Sequence, residues 1–270
     1  MNLLLTLIAI ALSIGGWRLG LRAQKLPGHW WALGYAIPVA FILAFGAARR
    51  FQQVEFLPPI TWLMAGRTEF VLMGGAVTLL FTTILPKLST DNLRKLITVM
   101  MVLAAINSLV PFIASAMLRG KLTAMKTRWH GNGEVCAQTS DYTCGPASAV
   151  TGLRRLGVDS GEGALAVAAH TTHFTGTEPD ELARAINRLH ERDGVVAEYC
   201  WFDSLADLPK EGSVLLRIKY GFMMDHWVAW LGEEDGKMIL GDPLSGRMEI
   251  SAEQLRERWR HTGVWIRRAD

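Results

Sequence analysis

Long stretches without a charged side chain characterise the first part of the chain. A transmembrane helix needs about 20 apolar residues to cross about 30 Å of hydrocarbon, and four runs come close to this length: 1–17, 26–48, 70–86 and 96–118. The second run starts near Trp30 and Trp31 and is followed by Arg49 and Arg50, the aromatic anchor and basic stop typical of a span. The first run lacks the basic start and the small-residue cleavage site of a signal peptide. The sequence therefore predicts four spans, with both termini on the same side of the membrane.

From about residue 129 the hydrophobic pattern becomes that of a globular domain. Apolar residues recur every three positions in 144–157, and 177–194 combines Thr177 as a cap, acidic residues in the first turn and a final Gly194, so both segments are predicted helices. Short apolar runs separated by Gly, Pro and Asp predict the strands of an antiparallel sheet. These runs are 195–202, 213–219, 226–232, 237–242, 246–250 and 263–268, the last of them preceded by a short helix from 251. Helices followed by an antiparallel sheet indicate an α+β domain.

Charge separates the two parts of the chain. Residues 1–118 carry nine Lys or Arg and three Asp or Glu, a net +6, whereas residues 119–270 carry 19 and 22, a net −3. We therefore expect a transmembrane helical region at 1–118, a juxtamembrane linker at 119–129 and a soluble domain at 130–270. The overall charge of +3 describes neither part, so nucleic acid is not an expected partner. Three cysteines are too few for a disulfide-stapled secreted module and leave at least one thiol free.

The segment CAQTSDYTCGP, residues 136–146, places Cys144 at the start of the first predicted helix of this domain. The oriented N–H groups and positive dipole of a helix start favour a thiolate, which is the nucleophilic form of cysteine. A base must take the thiol proton, and His226 opens an apolar strand that would hold its ring rigidly. Asp242 ends the next strand, and since adjacent antiparallel strands bring such ends together, it is a candidate to orient that ring. Gln138, six residues before Cys144, can fold back over the turn to donate to an oxyanion.

These residues carry a resemblance to a known family. Gln138, Cys144-Gly145-Pro146-Ala147 at a helix start, His226 at a strand start and Asp242-Pro243 resemble the bacteriocin-processing cysteine peptidases, the papain-like family that cleaves leader peptides after a double glycine. The match covers roughly residues 130–266 and includes the Gly-Thr pair before the second predicted helix. The resemblance implies a papain-like fold for 130–270. It also implies that Cys144 is the nucleophile, His226 the general base, Asp242 its orienting group and Gln138 an oxyanion donor.

The chain departs from the family's usual arrangement in one large respect. Family members are usually the N-terminal domain of an exporter with an ATPase, whereas here the peptidase-like part follows four predicted spans. The G-x-x-x-x-G-K-[ST] phosphate loop of an ATPase does not occur in this sequence, so transport coupled within the chain is not expected.

Several other interpretations of the same residues stay open at this stage. Asp225 neighbours His226 and is a rival to Asp242 as the orienting group. Cys136 can form a disulfide with Cys144 that blocks the thiol until it is reduced. Alternatively, Cys136 can bind a metal ion together with His170, His173 and Cys200. None of these spacings matches a recognised ligand pattern, so neither a metal nor a cofactor is predicted.

The sequence thus predicts a membrane-anchored cysteine endopeptidase that cleaves a peptide or protein substrate through a Cys-His-Asp triad. Its expected partners are that substrate, the lipid bilayer and a separate exporter or membrane complex, and its expected location is the bacterial cytoplasmic membrane. Basic residues in the loops divide six to seven between the two sides, so no side is predicted for the soluble domain. The alternative functions are a degenerate peptide-binding module that serves a separate exporter, and a scaffold in which the spans hold partners.

Overall fold

A computed structural model describes residues 2–64, 68–131, 133–221 and 224–269. The chain divides into two compact units, Met1–Ala116 and Met117–Asp270. The first unit contains helices and no strands among its described residues, and the second combines helices with a sheet.

Four helices within the described residues are long and apolar enough to cross a membrane: Leu3–Ala23, Trp30–Ala48, Thr68–Lys87 and Asp91–Thr123. These stretches correspond to α1 (Asn2–Ala23), α2 (Leu33–Arg50), α5 (Thr68–Ile84) and α6 (Asp91–Thr123), and two short helices, α3 (Gln52–Glu55) and α4 (Ile60–Met64), lie between α2 and α5. The first and fourth helices extend beyond the predicted runs of 1–17 and 96–118 because they continue through charged residues at their ends. The segment after residue 49, expected to be a connection, is partly helical instead.

Glycines allow α1 and α5 to pack closely. A Cβ atom added to Gly16 would lie 2.2 Å from the Gly75 carbonyl oxygen, and one added to Gly20 would lie 2.6 Å from Cβ of Thr82. Thr78 donates its hydroxyl to the Ser13 carbonyl at 2.8 Å, which joins the two helices by a hydrogen bond. Gly16 and Gly20 form the small-x-x-x-small spacing that lets helix backbones approach each other in membranes.

The second unit contains four helices and eight strands among its described residues. Its helices after the end of α6 are α7 (Cys144–Arg155), α8 (Glu162–Ala168), α9 (Pro179–His190) and α10 (Ala252–Arg258). Its strands are β1 (Arg128–Trp129), β2 (Cys136–Ala137), β3 (Val195–Trp201), β4 (Ser213–Gly221), β5 (Met224–Glu234), β6 (Lys237–Asp242), β7 (Gly246–Ser251) and β8 (Trp259–Arg268). The last six form one sheet in the order β3-β8-β4-β5-β6-β7, with every neighbouring pair antiparallel. The predicted α+β class with an antiparallel sheet is confirmed.

Two hydrophobic cores lie on the two faces of this sheet. Leu215 of β4 belongs to one core with Val150 and Leu182, so this face is covered by α7 and α9. Val214 and Leu216 belong to the other core, with Leu255 of α10. Successive strand residues point to opposite faces, and this alternation places α7, the helix that begins at Cys144, against the sheet.

Two details of the predicted helices are wrong. Thr177 is not the cap of the second helix: Glu178 is its N-cap residue and Pro179 its first residue, a position where proline's fixed φ and missing N–H are tolerated. The side chain of Thr177 instead hydrogen-bonds with Thr171 inside the unit. Helix α8 was not predicted, since its seven residues are too few to show a clear period.

Candidate active site

Cys144 is the first residue of α7 and follows a tight hydrogen-bonded turn. The Ser140 carbonyl accepts from the Thr143 backbone N–H at 3.1 Å and from the Thr143 hydroxyl at 2.9 Å. The Thr143 carbonyl then accepts the Ala147 N–H, as the first bond of the helix. Pro146 lies in the first turn, where a missing N–H leaves no helical bond unmade. The turn therefore presents the Cys144 thiol at a helix N-terminus, where the helix dipole favours negative charge.

Helix α7 is joined to the start of β5 by close contacts next to Cys144. Ser148, one turn further along, donates its hydroxyl to the Trp227 carbonyl at 3.0 Å. The Trp227 indole N–H donates to the Thr177 carbonyl at 3.3 Å. A Cβ on Gly145 would lie 3.0 Å from Cβ of Thr177 and 3.3 Å from Cδ1 of Trp227, so glycine allows the helix to approach the strand. These contacts fix the distance between Cys144 and His226, the neighbour of Trp227.

His226, near the start of β5, and Asp242, at the end of the neighbouring strand β6, form a buried pair. Nε2 of His226 is 2.7 Å from Oδ1 of Asp242, and the two residues are 5 % and 8 % exposed. The side chain of Cys144, which is 7 % exposed, lies close enough to the histidine ring to contribute to its raised pKa. Since Nε2 is engaged by Asp242, Nδ1 is the ring nitrogen left for the thiol.

Electrostatics favour a charged His226. Burial of the ring opposes its charge, but hydrogen bonds with Asp242 and Cys144, and the negative charge of both groups, outweigh burial and raise the pKa of His226 to about 9. For Asp242, burial also opposes the charge, yet hydrogen bonds from His226, Ser245 and the Leu244 N–H lower its pKa below the ordinary value. The arrangement therefore favours a protonated His226 ring between the Asp242 carboxylate and the Cys144 sulfur.

The chain just after Asp242 fixes the carboxylate. The Leu244 backbone N–H donates to Oδ1 at 2.8 Å, and the Ser245 hydroxyl donates to Oδ2 at 2.5 Å. The sequence analysis missed Ser245, although Asp-Pro is typical of a turn in which the Asp side chain accepts a hydrogen bond from the backbone two residues later. With His226, these contacts give the Asp242 carboxylate three hydrogen-bond donors.

Gln138 is connected to both halves of the site. Its backbone N–H donates to the Pro243 carbonyl at 3.0 Å, next to Asp242. Its side-chain Nε2 donates to the Ser140 carbonyl at 3.0 Å, the same oxygen that holds the turn before Cys144. Its buried Oε1 has no hydrogen-bond partner among the described residues. All four residues singled out in the sequence thus lie in one hydrogen-bonded neighbourhood.

The other candidates from the sequence lie in different surroundings. Asp225, the rival to Asp242, is bound by Arg217 at 2.9 Å and by Arg260 at 2.8 Å. All three cysteines are free thiols. Burial and the charge of Glu162 raise the pKa of Cys136 to about 12 despite a hydrogen bond with the Arg128 backbone, so this thiol stays protonated. Within the described ranges, no three His, Cys, Asp or Glu side chains cluster as metal ligands.

Comparisons by sequence find two curated relatives. Both are named as uncharacterised proteins and come from Methanothermobacter thermautotrophicus and Methanothermobacter marburgensis. They are 31% and 32% identical over 123 and 120 residues, which cover 46% and 44% of this chain and 80% and 78% of the relatives. No protein-family model matches the chain.

Comparisons by structure find peptidase domains. The peptidase domain of Streptococcus ComA, a bifunctional ABC transporter involved in quorum sensing, aligns over 51% of this chain and 98% of its own, with 18% identity and a TM-score of 0.44. A double-glycine motif protease from an AMS/PCAT transporter, solved with the leader peptide, aligns over 54% and 99%, with 14% identity and a TM-score of 0.43. A peptidase C39-like domain from Vibrio parahaemolyticus aligns over 49% and 99%, with 18% identity and a TM-score of 0.35. Each of these three structural neighbours is a peptidase domain or a protease.

Proposed function

The chain belongs to the same family as the two Methanothermobacter proteins, and we propose that it is a membrane-held cysteine peptidase whose C-terminal unit cleaves a peptide or protein. One observation carries this proposal: a single histidine, His226, is 2.7 Å from the carboxylate of Asp242, and the Cys144 side chain at a helix start lies close enough to help raise the pKa of His226. A thiol, an imidazole and a carboxylate in this order make up the arrangement used for nucleophilic catalysis by cysteine.

Before acylation, the proton of the Cys144 thiol is transferred to His226. The sulfur attacks the carbonyl carbon of the scissile peptide bond, a C–S bond forms, and the electron pair of the C=O bond moves to oxygen. This oxyanion accepts hydrogen bonds from the Cys144 backbone N–H and from the side-chain amide of Gln138. Asp242 keeps the imidazolium in place while the negative charge is on the substrate oxygen.

Collapse of the intermediate breaks the C–N bond. His226 gives its proton to the leaving amine, which departs as the first product and leaves a thioester on Cys144. A water molecule then gives a proton to His226 and attacks the thioester carbonyl. The C–S bond breaks and the acid product leaves. The Cys144 sulfur, which receives the electron pair of that bond, is again paired with the protonated His226. The net reaction is hydrolysis of one peptide bond, and it requires no cofactor.

We further propose that α1, α2, α5 and α6 hold the chain in a bacterial cytoplasmic membrane, since each is long and apolar enough to cross a bilayer. The substrates proposed are leader peptides that end in two glycines, because the order of Gln138, Cys144, His226 and Asp242 resembles peptidases of that specificity. A separate exporter in the same membrane is the partner proposed to receive the product.

The test is cleavage by the full chain in detergent. Synthetic peptides with a Gly-Gly pair between a leader-like segment and a short tail are incubated with the parent, Cys144→Ala and Cys200→Ser, and products are identified by mass spectrometry. The parent and Cys200→Ser are expected to cleave at equal rates, and Cys144→Ala is expected to give no product. Cleavage by Cys144→Ala at the parental rate would contradict the mechanism. Peptide binding without cleavage by the parent would favour the degenerate binding module instead.

A further inference from the structure

A buried carboxylate next to Gln138 has no part in the reaction described above. Glu162, the first residue of α8, is 0% exposed. Its Oε1 accepts the Thr139 backbone N–H at 2.7 Å, and its Oε2 accepts the Thr139 hydroxyl in a very short hydrogen bond. Both oxygens of one carboxylate are therefore bound to one residue, and that residue directly follows Gln138.

Stability alone is a poor explanation for this contact. A buried carboxylate is costly unless its oxygens are hydrogen-bonded, and even a buried ion pair can often be replaced by apolar residues with stability unchanged or improved. A carboxylate with two acceptor oxygens does, however, fix the position of a backbone segment, because it can hold an N–H and a hydroxyl at once. The segment that it fixes here carries the side chain proposed to bind the oxyanion.

The backbone of Glu162 is itself held in place. Its N–H donates to the Thr127 hydroxyl at 3.2 Å. The next residue, Gly163, packs so closely that an added Cβ would lie 2.3 Å from the Leu122 carbonyl oxygen and 3.3 Å from Cβ of Met125. The first residues of α8 therefore pack closely against the end of α6 and cannot move toward it. The Glu162 carboxylate extends from this fixed position.

From Glu162 the contacts lead to the reacting groups in two directions. Gln138, next to Thr139, donates its backbone N–H to the Pro243 carbonyl beside Asp242. The Gln138 side chain donates to the Ser140 carbonyl, which also accepts the N–H of Thr143, the residue before Cys144. A shift of Thr139 would therefore move the amide of Gln138 relative to the Cys144 N–H, the second proposed oxyanion donor.

We propose that Glu162 is a positioning residue for the oxyanion site, which it sets by holding Thr139 and through it the Gln138 amide. This inference rests on the proposed function, since it assigns Gln138 as an oxyanion donor. Because both oxygens of Glu162 are bound to Thr139, it acts on the stabilisation of the tetrahedral intermediate and not on the reactivity of the sulfur.

The test compares two reactions of the same thiol in the full chain in detergent. Alkylation of Cys144 by iodoacetamide forms no oxyanion, whereas a peptide aldehyde ending in Gly-glycinal adds to Cys144 to give a hemithioacetal whose oxygen occupies the oxyanion site. The aldehyde's affinity is read from the concentration that protects Cys144 from iodoacetamide.

The variants are Glu162→Ala, Glu162→Gln, Thr139→Val and Gln138→Ala, with Glu181→Gln as the control. Glu181 is likewise a buried glutamate in the first turn of a helix, but it pairs with Arg184 in α9.

We expect Glu162→Ala and Gln138→Ala to weaken the aldehyde about tenfold or more while changing the alkylation rate by less than about twofold, because removing one oxyanion donor mainly affects the tetrahedral state. Glu162→Gln keeps one acceptor oxygen in place of two, and Thr139→Val keeps only the backbone contact, so both are expected to weaken the aldehyde by a smaller factor. Glu181→Gln is expected to match the parent in both reactions.

Two results would overturn the proposal. One is an unchanged aldehyde affinity in all Glu162 and Thr139 variants while Gln138→Ala weakens it, which would leave the oxyanion assignment intact and remove Glu162 from it. The other is an equal loss of both reactions together with a lower unfolding temperature in Glu162→Gln and Thr139→Val, as expected for a purely structural carboxylate. Failure of the proposed function looks different, since Gln138→Ala would then have no effect on the aldehyde.

Discussion

At the scale of single residues, the properties of His226 result from its neighbours more than from its own chemistry. Burial alone would disfavour a charged ring, and the positions of Asp242 and Cys144 reverse that preference. Burial disfavours the charge of Asp242 as well, but hydrogen bonds from His226, Ser245 and the Leu244 N–H lower its pKa. Replacement of one carboxylate should therefore alter the reactivity of a thiol that it does not touch.

Asp242→Asn tests this dependence. The amide keeps the size of the side chain but removes the negative charge that helps to raise the pKa of His226, so the ring is expected to be neutral at pH 7. Alkylation of Cys144 by iodoacetamide at pH 7 should then slow by about tenfold or more. Ser245→Ala, which removes one donor and leaves the charge, should slow it by a smaller factor. An unchanged rate in Asp242→Asn would mean that the carboxylate does not control the ring.

The same pair predicts a pH dependence of stability. The folded-state pKa of His226 is raised to about 9 from an ordinary value of 6.5, so its contribution to stability is complete below about pH 6.5 and is lost as pH rises through about 9. The pKa of Asp242 is lowered, so its contribution is present above about pH 4 and is lost on further acidification. The difference in free energy of unfolding between the parent and His226→Ala should fall by on the order of 2 kcal/mol between about pH 6 and 10.

Unfolding of the full chain in detergent, followed by tryptophan fluorescence across that pH range, measures this difference. His190→Ala serves as a control because its ring lies away from the thiol, between Asp193 and Ser160. A parent-minus-His226→Ala difference that stays constant with pH would contradict the raised pKa of His226.

At the scale of elements, the glycine of the Cys-Gly-Pro sequence is explained by the close packing of α7 against β5. Gly145 lies where a Cβ would come within 3.0 Å of Thr177 and 3.3 Å of Trp227, and Ser148 bonds to the Trp227 carbonyl one turn later. The glycine therefore sets how closely the helix that carries the thiol approaches the strand that carries the imidazole.

Gly145→Ala is expected to move the start of α7 away from β5. The added methyl group should lower the free energy of unfolding by about 1–3 kcal/mol and slow alkylation of Cys144 at pH 7, because the thiol moves away from His226. Gly120→Ala is the matched control, since an added Cβ there meets nothing within 4 Å. Equal behaviour of the two variants would show that the close contact at Gly145 has no effect on the site.

Two adjacent glycines in α1 provide a test of helix packing in the first unit. A Cβ atom added to Gly16 would lie 2.2 Å from the Gly75 carbonyl oxygen, whereas one added to Gly15 would meet nothing within 4 Å. Gly16→Val is therefore expected to separate α1 from α5 and to lower the unfolding temperature in detergent, while Gly15→Val is expected to leave it near the parental value. Equal unfolding temperatures for the two variants would contradict the described α1–α5 packing.

Sequence patterns predicted these elements unevenly, and for physical reasons. Long apolar runs predicted the four long helices, but not their ends, because hydrophobicity does not register helical turns that continue through charged residues such as those at 91–95. Strands with alternating residues were placed to within a few positions. Helix α8 and the contact of Glu162 with Thr139 were missed, since a short helix has no clear period and the carboxylate acts on a residue 23 positions away.

At the scale of the whole molecule, the chain combines helices long enough to cross a membrane with a separate compact unit that holds the candidate site. Cys144, His226, Asp242 and Gln138 can be proposed from one sequence because nucleophilic catalysis uses these residue types and because their order resembles that of a known peptidase family. Their supporting contacts with Ser245, Ser148 and Glu162 depend on how distant segments meet in the fold. The sequence therefore indicated the residues that we propose to react, whereas the contacts that hold them in place required the structure.

The most direct test of the proposed thiol–imidazole pair is the alkylation rate of Cys144 by iodoacetamide between about pH 5 and 9, measured by peptide mass in the full chain and in His226→Ala. Cys200 in the same digest is an internal reference, because burial and the charge of Glu198 raise its pKa. We expect fast alkylation of Cys144 already near pH 6 and a loss of about tenfold or more without His226. Slow alkylation that rises only near the ordinary thiol pKa of about 8.5, and that does not respond to His226, would contradict the pairing.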